Sequence, residues 1–280
     1  MGNLEAHRAC YAQLITAGLP ENPRLVAAFA CIPREQFVGP GPWKIYTASG
    51  LLQTPTDDPA FLYQDVLVAL APERHINNGQ PSLHALCIAA LDAKEGERIV
   101  QIGAGTGYYT AVLSQMAGPS GEVIAYEIEE DLALRATENL RDRPNVEVLN
   151  RSGAEGRTPD CDIVYVNAGA TAPLDTWLDA LRPGGRLLFP LTSRLDSIED
   201  MGGMLLVARA AQQGYHARFL CRAAFIPCIG ASGEKKAAEL SQAFRRGDAR
   251  LVRSLRRDTA PDKSCWFAGD GWWLSRVPAG

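Results

Sequence analysis

The segment Ile99-Val100-Gln101-Ile102-Gly103-Ala104-Gly105-Thr106-Gly107-Tyr108-Tyr109-Thr110 constrains the fold more than any other part of the chain. A mostly apolar run makes a buried strand, three glycines at alternate positions make a tight turn, and a helix opens after them. Such a turn lets backbone approach a ligand at the carboxyl end of a first parallel strand. The dinucleotide pattern G-x-G-x-x-G is not met, because the glycines fall at 103, 105 and 107 and bulky Tyr108 follows them.

That spacing favours the nucleoside of S-adenosylmethionine over a pyrophosphate. A carboxylate is then expected at the tip of the second strand, to accept hydrogen bonds from both ribose hydroxyls. Glu127 stands there, followed by Ile128.

The texture around the loop supports this reading. From Glu97 onward, short apolar runs at Arg98 to Ile102, Val123 to Ile128, Val146 to Leu149, Ile163 to Val166 and Arg186 to Leu191 alternate with helical patterns. Alternation of that kind implies a parallel sheet covered on both faces. Before it, helical patterns at Ala6 to Ala17 and Pro23 to Ala30 lead into a loop-rich region from Pro33 to Pro59. After it, Met204 to Ala208 and Arg218 to Ile226 read as strands joined through Gly214-Tyr215, an antiparallel hairpin closing one edge.

The expected fold is therefore α/β, a Rossmann-like, doubly wound, mostly parallel seven-stranded sheet with an N-terminal helical cap and a C-terminal extension. The expected division is a cap and acceptor segment at 1–95, a donor-binding domain at 96–230 and an extension at 231–280.

Charge and cysteines limit the setting. Against 28 Lys and Arg stand 32 Asp and Glu, a formal charge of −4, which favours neither nucleic acid nor an anionic membrane. No apolar run reaches the roughly 20 residues that span a bilayer, and the N-terminus lacks the apolar core of a secretory signal. Seven cysteines without a C-x-x-C pair read as reduced thiols of a cytoplasmic protein.

The stretch from Tyr63 to Leu191 resembles the protein-L-isoaspartate O-methyltransferase family of S-adenosylmethionine-dependent enzymes. The resemblance is carried by Tyr63-Gln64-Asp65, by Asn77-Asn78-Gly79-Gln80-Pro81-Ser82-Leu83-His84-Ala85 ahead of a helix, by the glycine loop, and by Leu181-Arg182-Pro183-Gly184-Gly185-Arg186-Leu187. It implies a reaction chamber lined by Asn77, Asn78 and Gly79, with Gly79 also touching the cofactor and His84 matching a family histidine.

It further implies cofactor contacts from Gln101, Gly103, Ala104, Gly105, Gly107, Glu127, Ile128, Ser152, Gly153 and Asn167, with S-adenosylhomocysteine as product. Three positions depart from the family. Gly79 stands where it has a serine implicated in methyl transfer, Arg151-Ser152-Gly153 replaces its Gly-Asp-Gly, and Gln101 replaces the usual acidic residue of the glycine loop.

Methyl transfer is an in-line displacement that needs alignment and exclusion of water, and no metal. A carboxylate acceptor is already ionised and needs only donors to orient it, such as Asn77, Asn78, Gln80 and Ser82. A hydroxyl or amine acceptor needs a base, and then His84 or Asp65 is the candidate. Asp65 also reads as a structural anchor for the cap.

The expected partner is a methyl-acceptor peptide, protein or small molecule. Three readings stay open: an isoaspartyl carboxyl methyltransferase, the same scaffold recruited to a small-molecule or peptide natural product, and a silent binding protein for the cofactor. In the C-terminal extension, Arg246, Arg250, Arg253 and Arg257 form a stripe if Phe244 to Arg257 is one helix, although Gly247 interrupts it. Trp266, Trp272 and Trp273 flank Gly269-Asp270-Gly271, which reads as a hairpin with core-packing aromatic arms.

Overall fold

The computed structural model describes residues 4–193, 201–210, 214–257 and 259–279. Its elements begin with α1 (Leu4–Thr16), α2 (Pro23–Cys31), β1 (Lys44–Thr47), β2 (Gly50–Gln53), β3 (Ala69–Ala71), β4 (Ile76–Asn77) and α3 (Pro81–Leu91). There follow β5 (Arg98–Ile102), α4 (Tyr108–Ala117), β6 (Glu122–Glu127), α5 (Glu130–Asn139), β7 (Val146–Asn150), β8 (Cys161–Val166) and α6 (Asp175–Asp179). The chain ends with β9 (Leu181–Leu191), β10 (Gly203–Arg209), β11 (Tyr215–Arg222), α7 (Glu234–Arg245), β12 (Ser254–Arg256), β13 (Cys265–Ala268) and β14 (Trp273–Ser275).

Two compact bodies emerge, Met1–Glu97 with Ala104–Arg151, and Arg98–Gly103 with Ser152–Gly280. In the first, β6 and β7 run parallel, Val123 opposite Val146 and Glu127 opposite Asn150. Helix α5 packs on both strands and α4 on β6, while α1 and α2 lie against α3 and α4. Helix α2 starts where Asn22 accepts a hydrogen bond from Leu25 N at 3.1 Å and Pro23 supplies a preset φ. Tyr11, Phe29, Phe37 and Tyr108 are all buried, and edge-on or tilted ring pairs at 5.5–6.4 Å join the helices into one aromatic core.

The region from Pro33 to Pro59 is not only loop. It holds the antiparallel hairpin β1–β2, whose inward Ile45 joins Val38, Trp43, Leu62 and Val68 in a small cluster. The fully buried Arg34 secures the next segment, its guanidinium donating to Leu62 O (2.5 Å), Gln64 O (3.1 Å) and Val66 O (2.6 Å). Three backbone carbonyls between residues 62 and 66 thus share one buried cation, and Gln64 O also accepts from Val66 N at 2.9 Å.

In the second body β5, β8 and β9 are parallel, with Ile99 opposite Ile163 and Val164 opposite Leu187. Antiparallel strands continue from them, in the order β13-β14-β12-β11-β10-β9-β8-β5. The α/β layout holds, but among the described residues this body alone contains eight strands, more than the seven expected for the whole sheet. The hairpin β10–β11 forms as expected, yet it does not close the edge, because β12 pairs with β11 and is followed by β14 and β13.

The arginine stripe does not form. Helix α7 ends at Arg245, Gly247 turns at φ +80, and Ser254–Arg256 is strand. Arg257 instead pairs with Asp175 (2.9 Å) and Asp179 (2.6 Å) of α6. Trp266, Trp272 and Trp273 are buried, the first within 5.2–5.4 Å of the Phe219 and Phe244 rings. Among the described residues no helix is long and apolar enough to cross a membrane.

Gly107 shows how tightly α4 is seated. Its φ is +95, and a Cβ there would lie 2.7 Å from Leu140 Cδ1 at the end of α5. The substitution Gly107→Ala combines backbone strain with a steric clash, and is expected to cost about 2–4 kcal/mol in a urea unfolding titration.

Candidate functional site

Glu127 ends β6 with a side chain 6% exposed. Its Oε2 accepts from Gly105 N at 2.6 Å and its Oε1 from Glu129 N at 3.0 Å. Burial raises its pKa above that of an ordinary glutamate, against the lowering effect of these backbone hydrogen bonds. The carboxylate therefore braces the glycine loop on one side and the start of α5 on the other.

The loop is held from elsewhere too. Ala104 N donates to Tyr126 O at 3.1 Å, Thr106 Oγ1 to Phe37 O at 2.5 Å, and Asn139 Nδ2 to Thr106 O at 2.9 Å. Gly105 adopts φ +57, with open space until Leu70 Cδ1 at 3.8 Å from where a Cβ would be. Beside Glu127, the apolar Ile128 is 42% exposed.

The segment ahead of α3 forms a second cluster in the same body. Asn77 Oδ1 accepts from Gly79 N at 2.9 Å, closing an Asx turn. Asn78 is 8% exposed; its Oδ1 accepts from Val68 N (2.9 Å) and Arg34 Nη2 (3.2 Å). Two donors on that atom fix the amide orientation, so the other atom is the NH2, and it has no hydrogen-bond partner among the described residues.

Gly79 adopts φ +74, and a Cβ on it would fall 2.2 Å from His84 Nε2. The His84 ring stacks on Tyr109 at 3.6 Å and 9°, and Tyr109 OH donates to Gly79 O at 3.1 Å. His84 thus fills the place a side chain at 79 would take. Burial, with the Arg34 charge second, lowers its pKa to about 3, so the imidazole is neutral and weakly basic.

Asp65 is fully engaged. Its Oδ1 accepts from Ser82 N (2.8 Å), and its Oδ2 from Ser82 Oγ (2.6 Å) and Gln80 Nε2 (3.0 Å). Burial acts to raise its pKa, but these bonds and the Arg34 charge outweigh it and the pKa is lowered. It anchors the first turn of α3.

The remaining sequence-derived candidates belong to the second body. Gln101 is 1% exposed and donates through Nε2 to Asn167 Oδ1 at 3.0 Å, while Asn167 N donates to Ile102 O at 2.7 Å. A Cβ on Gly103 would lie 3.5 Å from Asn167, and one on Gly153 would lie 2.7 Å from Ile102 Cγ1. Ser152 Oγ accepts from Ala154 N at 3.2 Å and so shapes its own turn.

Sequence reasoning missed Tyr109 and Arg34. Tyr109 stood in the glycine-loop segment, and its aromatic side chain at the helix start was the available signal. Arg34 gave none, because all its partners lie 28 to 44 residues away.

A solved protein-L-isoaspartate O-methyltransferase, 24% identical, superposes with a TM-score of 0.65 over 92% of this chain and 74% of its own. A putative enzyme of that name from Plasmodium falciparum, in complex with S-adenosyl-L-homocysteine, is 16% identical, with a TM-score of 0.62 over 80% of this chain and 98% of its own. The fold is that of the α/β methyltransferases.

The family model described as Protein-L-isoaspartate(D-aspartate) O-methyltransferase matches residues 5–232. The protein-L-isoaspartate O-methyltransferase of Pelotomaculum thermopropionicum is 30% identical over 82% of this chain and 90% of its own length. That of Methanothermobacter thermautotrophicus is 27% identical over 83% and 99%. The chain belongs to this family of S-adenosylmethionine-dependent methyltransferases, and residues 233–280 lie beyond the family match.

The His84 environment has a consequence for stability. Between its folded pKa of about 3 and the unfolded value of 6.5, the unfolded chain binds the extra proton, so stability is lost as pH falls through this window. Urea titrations are expected to show a loss of about 3 kcal/mol from this group by pH 4. The variant His84→Gln is expected to flatten that part of the profile.

Proposed function

We propose that this protein transfers a methyl group from S-adenosylmethionine to a carboxylate, with an isoaspartyl residue of a protein or peptide as the acceptor. The Glu127 carboxylate, presented at a strand end against the Gly105 backbone, is the observation that carries this reading. The residues present fit the donor: Glu127 oxygens keep lone pairs for a ribose diol, and Ile128 offers an exposed apolar side chain for the adenine. Ala104, Gly105 and Gly107 would provide backbone along the loop, while Gly79, Gln101, Gly103, Ser152, Gly153 and Asn167 are proposed as further donor contacts on the family resemblance.

Bound S-adenosylmethionine supplies the sulfonium methyl group; the chain's own residues orient the acceptor and exclude water. Asn78 is the best-placed orienting donor, because its NH2 is buried and has no partner among the described residues. Asn77 shapes the turn that presents it. Neither candidate base is suited to deprotonating a hydroxyl or amine, since His84 is weakly basic and the Asp65 oxygens accept three bonds. An acceptor that is already ionised needs neither, so His84 and Asp65 are read as framing residues. The three segments 1–95, 96–230 and 231–280 are read as acceptor cap, donor-binding stretch and appendage.

We place the enzyme in the cytoplasm; among the described residues no disulfide joins any of its seven cysteines. A second reading, the same chemistry on another small-molecule or peptide acceptor, is favoured by Gly79. The His84 ring leaves no room for a hydroxyl-bearing side chain at that position.

Labelled-methyl transfer to an isoaspartyl peptide, with the normal aspartyl peptide as control, is expected to show incorporation only into the first. Incorporation into neither, with donor binding intact, would transfer the assignment to the second reading. Calorimetry with S-adenosylhomocysteine is expected to show a Kd weakened about 10–100-fold by Glu127→Gln. Because the Glu127 pKa is raised and the ribose needs the ionised form, wild-type affinity is expected to fall on acidification earlier than an ordinary glutamate would cause.

A further inference from the structure

The hairpin β3–β4 carries a 3-10 turn, Pro72–Arg74, at its tip and leads directly into Asn77-Asn78-Gly79. Two contacts fix it over the donor side of the first body. Near its base, Leu70 Cδ1 is the closest atom to where a Gly105 side chain would begin, at 3.8 Å. At its tip, the Arg74 guanidinium holds Asp131 through both arms, Nη2 to Oδ2 at 2.7 Å and Nη1 to Oδ1 at 3.0 Å, and also ion-pairs with Glu129. Glu129 and Asp131 lie two and four residues beyond Glu127.

These contacts form a continuous chain of interactions. The Gly105 and Glu129 N–H groups hold Glu127, the Glu129 carboxylate holds Arg74, and Arg74 ends the 3-10 turn two residues before the strand that leads into the acceptor segment. The far end of that segment is fixed independently by Asn77 on Gly79 N and by Arg34 and Val68 on Asn78. Among the described residues only Arg74 fastens the tip by ion pairs to the turn after Glu127, and a forked guanidinium matches two carboxylates better than an ammonium does.

We propose that Arg74 is a positioning residue that ties the acceptor segment to the donor-binding turn, so that donor binding tightens the hold on Asn77–Gly79. This rests on the reading that Glu127 grips the donor. By reciprocity, whatever orders the turn after Glu127 also strengthens the hold on the hairpin.

The test combines calorimetry, amide hydrogen exchange over residues 69–80 and labelled-methyl kinetics on the full chain and on Arg74→Ala, Arg74→Lys and Asp131→Asn. In the wild type, S-adenosylhomocysteine is expected to slow exchange across 69–80. In Arg74→Ala the ligand is expected to bind within about tenfold of wild type, with that protection lost and kcat/KM reduced about 3–10-fold. Arg74→Lys should recover part of both effects, and Asp131→Asn should resemble Arg74→Ala from the other side of the contact. Retention of ligand-linked protection and of kcat/KM in both Arg74→Ala and Asp131→Asn would overturn the proposal. A wild-type protein that takes up no S-adenosylhomocysteine would instead remove the donor-site reading itself.

Discussion

The bond from the Gly105 N–H to the Glu127 carboxylate is the constraint on which the shape of the first body's glycine turn depends. A glycine turn free of side chains has no intrinsic reason to hold one shape, and an inward carboxylate at a strand end carries a desolvation cost. Each resolves the other's difficulty. The buried carboxylate gains two charge-assisted hydrogen bonds, and the loop gains a fixed geometry before any ligand arrives. Such preorganisation reduces the ordering a ligand must otherwise impose.

Around Gly79 the logic is steric. His84 and Tyr109 form a flat stack that fills the space beside the Gly79 Cα, and the Tyr109 hydroxyl holds the Gly79 carbonyl. The backbone is thus determined by its neighbours and not by its own side chain. The same stack removes water from the imidazole and keeps it neutral, so this cluster offers hydrogen-bond donors but little basicity.

Much of the fold was legible in the chain. β5, β6 and β8 were found within two residues because buried parallel strands are runs of branched apolar residues, and α1 and α2 because their apolar positions recur at helical spacing. β1–β2 and β3–β4 were missed, since strands of two to four residues carry no usable alternation. β12 was hidden in an arginine-rich run that mimics a helical face. Within the site, Glu127 and the glycines were visible from spacing alone. The roles of Asp65 and Gln101 were not, because they depend on partners 15 to 66 residues away.

The division of the chain bears on how the protein is made. β5 is synthesised in the middle of the first body's sequence, yet its parallel partner β8 begins 59 residues after β5 ends. On the ribosome, the helices and aromatic core of the first body leave the exit tunnel before β8 is made. Contacts of that sequence separation form slowly. The strand that leads into the glycine loop therefore gains its β8 partner only after residues as late as Val166 have emerged.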